Sequence, residues 1–348
     1  MWQVVGQDRV VSLLRRGLET DSLAHAYLLV GPPHVGKMTL ALNLAQALNC
    51  PAAERPCGEC PSCRRIASLS HADVQVIGLR QDEDSGEAKL ISTEQIEQMQ
   101  HSASLPPFEG NYKVFIIDGA ELLSIEAANR LLKTLEEPVS RVEFILLAVN
   151  DHLLPPTVVS RCQRLELVPL PAAEVESALV GQGVDPARAR LLSRLCHGCL
   201  GWAVSVANDE GWWQKREEVM ERLIMVINAD NEERFAYAAQ LAARFNQSRS
   251  LVYEELALWR DYWRDLMLVK IGRGDIIINV DREEALRAMA EGYRLAQITA
   301  FIERIRAAGI QLRQNANPRL VLEVLMLDMP GKEGGGGNPA TPISVKYG

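Results

Sequence analysis

The sequence predicts an α/β fold: a doubly wound parallel sheet over residues 1–170, followed by helical segments to residue 330. Three observations carry this. Five short apolar runs alternate with helical patterns in the first half of the chain. Past Pro169 and Pro171 the strand signal disappears. Between the first strand–helix pair and the second strand, Cys50, Cys57, Cys60 and Cys63 crowd together, too densely for an ordinary connection.

Taken in order, Gln7–Thr20 reads as a helix with apolar residues at Val10, Val11, Leu13, Leu14 and Leu18. The strand-like runs are Ala26–Val30, Val74–Leu79, Lys113–Ile117, Glu143–Val149 and Arg164–Val168. Several are dominated by Ile and Val, and all are short and bounded by polar or Gly-containing segments, which suits parallel strands buried on both faces. Helical patterns at Met38–Leu48, Thr93–Ser104 and Ile125–Leu135 separate them, and such alternation argues a doubly wound sheet. Residues 172–208 read as short helices broken at Gly198 and Gly201, and 212–327 as helical nearly throughout, interrupted near 272–279. The expected division is therefore 1–170 with a cysteine module at 50–63, then 171–208, then 209–330, then a glycine-rich flexible tail at 331–348.

Composition sets limits. At 47% hydrophobic and 24% charged residues, this is the make-up of an ordinary globular protein. No run approaches the roughly 20 apolar residues of a membrane span. The opening Met1-Trp-Gln-Val-Val-Gly lacks the basic and apolar regions of a signal peptide, so the clustered cysteines point to metal rather than disulfides and to a reducing cytoplasm. With a net charge of −8, any contact with DNA must use a local basic patch.

Two constellations carry chemistry. The loop Gly31-Pro-Pro-His-Val-Gly36-Lys37 follows an apolar strand and opens a helix. Backbone N–H groups and a helix N-terminus can cradle phosphates there. The letters alone are a weak signal; the strand–loop–helix context strengthens them. Such loops next need Ser or Thr, whose hydroxyl holds Mg²⁺. Here stands Met38, and Thr39 is rotated about 100° around the helix from that place. Asp118 ends an apolar strand, as does the acidic metal-contact residue of this ATPase type. A Glu that activates water usually follows it, but here the next residue is Gly119. The lesser alternative for Asp118 is an ordinary strand-end turn residue. The second constellation, Cys57-Gly-Glu-Cys60-Pro-Ser-Cys63 with Cys50, has the spacing that converges thiolates on zinc. A redox switch is the alternative reading. Cys162, Cys196 and Cys199 read as unrelated thiols, with a second metal site from Cys196, His197 and Cys199 left open.

These residues, together with several longer stretches, resemble the bacterial clamp-loader subunits of DNA polymerase III, of the AAA+ class. The resemblance runs through Val5-Gly6-Gln7, His25-Ala26-Tyr27-Leu28, the phosphate loop and the cysteines. It continues through Asn129-Arg-Leu-Leu-Lys-Thr-Leu-Glu-Glu-Pro138, Leu146-Leu-Ala-Val-Asn150, Ser160-Arg161-Cys162 and Asn315-Ala-Asn-Pro-Arg-Leu320. It implies an AAA+ sheet with a zinc-binding insert, a helical lid at 171–208 and an all-α collar at 209–330 that joins subunits. It gives Arg161 the role of an arginine finger reaching the ATP of a neighbouring subunit. It gives Asn150 the place of a γ-phosphate sensor, and Gly31, Gly36, Lys37, Met38, Thr39, Asp118 and Asn150 that of a degenerate nucleotide site with ATP or ADP held weakly if at all. The implied partners are the gamma/tau motor and delta subunits, the sliding clamp, and primed DNA through the assembled complex.

Met38, Gly119 and the arginine-free lid stretch Gly198-Cys-Leu-Gly201-Trp202 depart from the motor pattern. Together they imply little or no ATP hydrolysis by this chain itself. The rival readings are a true motor subunit, which Met38 and Gly119 oppose, and a zinc-dependent DNA-binding or interaction module on a vestigial ATPase fold. Arg64 and Arg65 beside the cysteines are thin support for the latter.

Overall fold

A computed structural model describes residues 2–79, 90–137 and 139–331, and they divide into two compact units. The first holds residues 1–184 and 196–205; the second holds 185–195 and the chain from 206 on. The tail expected at 331–348 lies, from residue 332, outside the described residues.

The first unit is built on five parallel strands, β1 (Ala26–Val30), β2 (Val74–Ile77), β3 (Lys113–Asp118), β4 (Val142–Ala148) and β5 (Gln163–Glu166), in the order β2-β3-β4-β1-β5. The central strands β1 and β4 are buried along their whole length. Their residues alternate between two cores. Tyr27, Leu29, Ile145 and Leu147 face α1 (Asp8–Glu19) and α2 (Lys37–Asn49). Leu28, Val30, Phe144 and Leu146 join the opposite core, built with residues of the helices at 93–103 and 125–136. Apolar side chains on both faces explain why these strands read as continuous apolar runs.

Between α2 and β2 stands α3 (Pro61–Ala67), which the sequence pattern did not reveal. Seven residues carrying two arginines show no helical period; Cys60 as N-cap and Pro61 in the first turn start it. The helix α4 (Thr93–Ala103) opens with a capping box between Ser92 and Gln95. Ser124 caps α5 (Ile125–Glu136), its Oγ accepting the Ala127 N–H at 3.1 Å. The short α6 (Pro156–Val159) leads into β5, and α7 (Ala172–Gly181) follows the sheet.

Beyond α7 come α8 (Pro186–Leu195), in the second unit, and α9 (Leu200–Val206), which to residue 205 belongs to the first. Gly198, at φ +82°, breaks the chain between them as expected, but Gly201 does not: it lies in the first turn of α9.

The second unit continues with α10 (Glu210–Asn228), α11 (Asn231–Gln247), α12 (Arg249–Lys270), α13 (Glu283–Glu291), α14 (Leu295–Arg313) and α15 (Pro318–Leu327). Its core gathers around α12, whose Trp259, Tyr262, Trp263 and Leu266 are fully buried. Leu256 is buried too, Leu258 packs at the core's edge and Leu251 is exposed. No described helix is long and apolar enough to cross a membrane.

Candidate functional site

The phosphate loop forms where β1 ends and α2 begins, as the sequence predicts. Gly36, in the left-handed region at φ +106°, is the N-cap of α2. A cleft of about 410 Å³ opens above it, lined by Gly36, Lys37, Met38, Thr39, Asp118 and Glu121 among others. The Lys37 side chain is turned onto its own loop: its Nζ donates to the carbonyl oxygens of Gly31 at 2.6 Å and Pro32 at 2.9 Å. Burial draws its pKa below the ordinary lysine value, opposed by the Glu121 and Asp118 carboxylates. Met38 lines the cleft and also packs against the core on the α1/α2 side. Thr39 reaches the cleft as well.

Gly119, where a catalytic Glu would stand, has φ +75° and begins a single turn of 3-10 helix at Ala120–Leu122. A Cβ there would come within 3.0 Å of Leu122 Cδ1, in a backbone conformation that side chains disfavour. The turn instead carries Glu121 into the cleft, a residue the sequence reading missed because it looked for Glu directly after Asp118. One oxygen, Oε1, accepts the Val149 N–H at 3.1 Å, and Oε2 is buried without a hydrogen-bond partner.

Asn150 is not among the residues lining the cleft. Its Oδ1 accepts the His152 N–H at 3.0 Å, capping the turn Asp151–Leu153. From the other side, α9 closes on the loop. The Gly201 N–H donates to the His34 carbonyl at 3.0 Å, and a Cβ on Gly201 would lie 2.8 Å from that oxygen. The arginine-free stretch around Gly201 thus packs backbone to backbone on the phosphate loop.

The four clustered cysteines come together. Their Sγ atoms all lie within 4.8 Å of one another, with Cys57–Cys63 and Cys50–Cys60 each at 4.0 Å. A tetrahedral zinc–thiolate site, with Zn–S of about 2.3 Å, needs S···S edges of about 3.8 Å, so the set fits zinc. Backbone N–H groups of Cys60 and Glu59 draw the Cys57 thiol down to about 6, while burial pushes Cys63 up to about 12. The Cys60 N–H meets Cys57 Sγ at 3.3 Å and the Cys63 N–H meets Cys60 Sγ at 3.4 Å. Among the described residues this is the one grouping of three or more metal-type ligands, and it does not include Cys196, His197 or Cys199.

The module is anchored to the sheet domain. Gln46 Nε2 donates to the Cys63 carbonyl at 2.9 Å, and Arg65 pairs with Glu109 at 2.8 Å. Asp73 accepts the N–H groups of Phe108, Glu109 and Gly110 at 2.7, 2.8 and 2.7 Å. Burial would raise its pKa, but these three donors outweigh it and hold the carboxyl below the ordinary range.

Arg161 follows α6 and sits about one-third exposed. Its Nη2 lies 2.5 Å from Glu136 Oε1 and its Nη1 donates to the Thr157 carbonyl at 2.8 Å. Cys162, its thiol pushed up to about 12 by burial, packs against the α4/α5 core.

The family models and the similar sequences agree on one family. The family model described as "DNA polymerase III, delta subunit" matches residues 6–171, and that described as "DNA polymerase III, delta subunit, C terminal" matches 210–330. DNA polymerase III subunit delta-prime of Bacillus subtilis is 29% identical over 322 residues, taking in 92% of this chain and 95% of that protein. Subunit tau of the same organism is 27% identical over 93% of this chain, which spans 60% of that protein. Subunit tau of Escherichia coli is 30% identical over 73% of this chain and 42% of that protein. Among solved structures, a gamma-subunit-related protein of Thermotoga maritima aligns with 92% of this chain and 99% of its own, at 17% identity and a TM-score of 0.45.

Proposed function

This chain belongs to the clamp-loader subunits of DNA polymerase III, and we propose that within the loader it is the delta-prime-type stator: it hydrolyses little or no ATP itself and lends Arg161 to the ATP of a neighbouring gamma/tau subunit. The observation that carries this reading is an asymmetry. The chain's own nucleotide cleft has Lys37 bonded to Gly31 and Pro32, Met38 in place of a hydroxyl, and a left-handed Gly119 in place of a general base. Arg161, by contrast, is paired with Glu136 and partly exposed. A guanidinium offered to a neighbour's γ-phosphate stabilises charge as the phosphoryl group transfers, an effect worth roughly 10³–10⁵-fold at that site.

Residues 171–208 act as the lid and 209–330 as the collar. Leu320, Val324 and Leu327 support the collar reading: they are 62%, 47% and 57% exposed at i, i+4 and i+7 of α15, an apolar stripe suited to a helix of another subunit. Cys50, Cys57, Cys60 and Cys63 would hold zinc, which supplies a structural cross-link rather than chemistry. The partners are gamma/tau and delta, the sliding clamp, and primed DNA through the assembly, all in the cytoplasm.

The test is a loader reconstituted with motor subunits, delta and clamp. With Arg161→Ala in this chain, it should assemble normally and load clamps more slowly. Arg161→Lys should rescue little, because an ammonium lacks the guanidinium's forked donors. An unchanged loading rate in an intact complex would reduce Arg161 to a surface arginine.

A further inference from the structure

The triplet Ser160-Arg161-Cys162 is fixed on three sides. Ser160 Oγ donates to the Thr157 carbonyl at 3.1 Å, Cys162 packs into the core, and Arg161 is gripped by Thr157 and Glu136. Thr157 belongs to α6, the element leading directly into the triplet. Glu136 does not: it is the last residue of α5 and reaches Arg161 across 25 positions of sequence.

Helix stability does not explain a carboxylate there. The last turn of a helix carries the negative end of its dipole, where an acid is disfavoured. Fold stability explains little more, because the Glu136 side chain is 50% exposed and a pair so open to water adds little to folding. What the pair does do is fix direction. A free arginine side chain is among the most mobile, and two anchors on different atoms, Nη1 and Nη2, restrict its planar head. Of five guanidinium N–H donors, these contacts and a longer bond from Nη1 to Ser160 Oγ at 3.4 Å engage three and leave two to meet another group.

We infer that Glu136 is the positioning residue for Arg161, holding the guanidinium in the orientation from which its remaining donors serve the neighbouring nucleotide. This rests on the reading of Arg161 as the group acting in trans. It ties the Leu-Glu-Glu end of α5 to the Ser-Arg-Cys triplet as one device.

The experiment uses the complete loader, with Glu136→Ala, Glu136→Gln, Arg161→Ala and the double variant Glu136→Ala/Arg161→Ala in this chain. Assembly is verified by co-elution, and clamp loading is measured against ATP concentration on primed DNA. Glu136→Ala should lower the maximal rate roughly tenfold, a coupling typical of residues in direct contact, with the half-saturating ATP concentration changed less than about twofold, as expected when only transition-state binding is lost. Glu136→Gln, which keeps an acceptor, should recover part of the rate. In the Arg161→Ala background, Glu136→Ala should cost nothing further. Full activity of Glu136→Ala beside a severe loss in Arg161→Ala overturns the positioning role alone, as does an equal loss in both backgrounds. A silent Arg161→Ala removes the trans-acting reading itself, and this inference with it.

Discussion

The ammonium of Lys37 lies 2.6 Å from the carbonyl oxygen of Gly31, so the residue that should hold a phosphate is bonded to the loop that carries it. Together with the Gly201–His34 contact, this closes the loop on itself. The isolated chain should therefore release phosphate from ATP at background rate, with or without primed DNA and clamp. Met38→Thr with Gly119→Glu should not restore hydrolysis, because Gly119 holds φ +75° and no Glu side chain can be aimed from there without moving the turn. Steady-state phosphate release decides it; turnover of about one per second, at the low end of phosphoryl-transfer enzymes, would contradict the account.

One zinc per chain should copurify with freshly reduced protein. Cys60→Ser should lose it and loosen residues 50–65, leaving the sheet and the helical unit folded, because each has its own core. Elemental analysis gives the stoichiometry and hydrogen exchange the extent of loosening. Metal-free wild-type protein, or global unfolding of the variant, would count against a local structural site.

Glu143 gives stability a pH dependence. It is 5% exposed, its Oε2 has no hydrogen-bond partner, and burial pushes its carboxyl from 4.5 up to about 8. Because the folded value lies above the unfolded one, the folded state binds the proton more tightly. This contribution is fully present below about pH 4.5 and is lost as pH rises through about 8. Glu143→Gln should leave stability unchanged at about pH 4 and raise it by roughly 1–3 kcal/mol at about pH 9. Urea unfolding at the two pH values checks this; an equal effect at both would assign the difference to packing.

In the helical unit, Asp265 is fully buried and accepts the N–H groups of Ile278 at 2.9 Å and Asn279 at 2.7 Å. The Asn279 Nδ2 adds a third bond at 2.8 Å, and Asn279 Oδ1 in turn accepts from Arg216 at 2.8 Å. Asp265→Ala strands these buried donors and should cost about 3 kcal/mol or more. Exchange protection at residues 276–282 should fall first. A loss under about 0.5 kcal/mol, the range of an ordinary surface change, would mean the network does not hold this loop.

Much of this was legible beforehand. Strands such as Ala26–Val30 show as apolar runs because both faces are buried, and four cysteines at loop spacing declare their convergence without tertiary information. What was missed depends on contacts distant in sequence or on turn geometry. Glu121 enters the cleft only because Gly119 turns left-handed. Asn150 is drawn into capping the turn after β4. Gly201 looked like a helix breaker but sits inside α9, where its missing side chain admits the His34 carbonyl. Glu136 and Arg161 meet across 25 residues, and no local pattern links them.

The central claim is that this chain acts on a neighbour's nucleotide and not on its own. The most direct test compares Lys37→Ala and Arg161→Ala, each placed only in this subunit of an otherwise wild-type loader, by ATP hydrolysis coupled to clamp loading. The account predicts that Lys37→Ala leaves the rate unchanged and Arg161→Ala lowers it, by up to the roughly 10³–10⁵-fold of an arginine finger at the adjoining site and by less in total turnover if the other sites continue independently. A loss with Lys37→Ala and none with Arg161→Ala would make this chain a motor working on its own ATP.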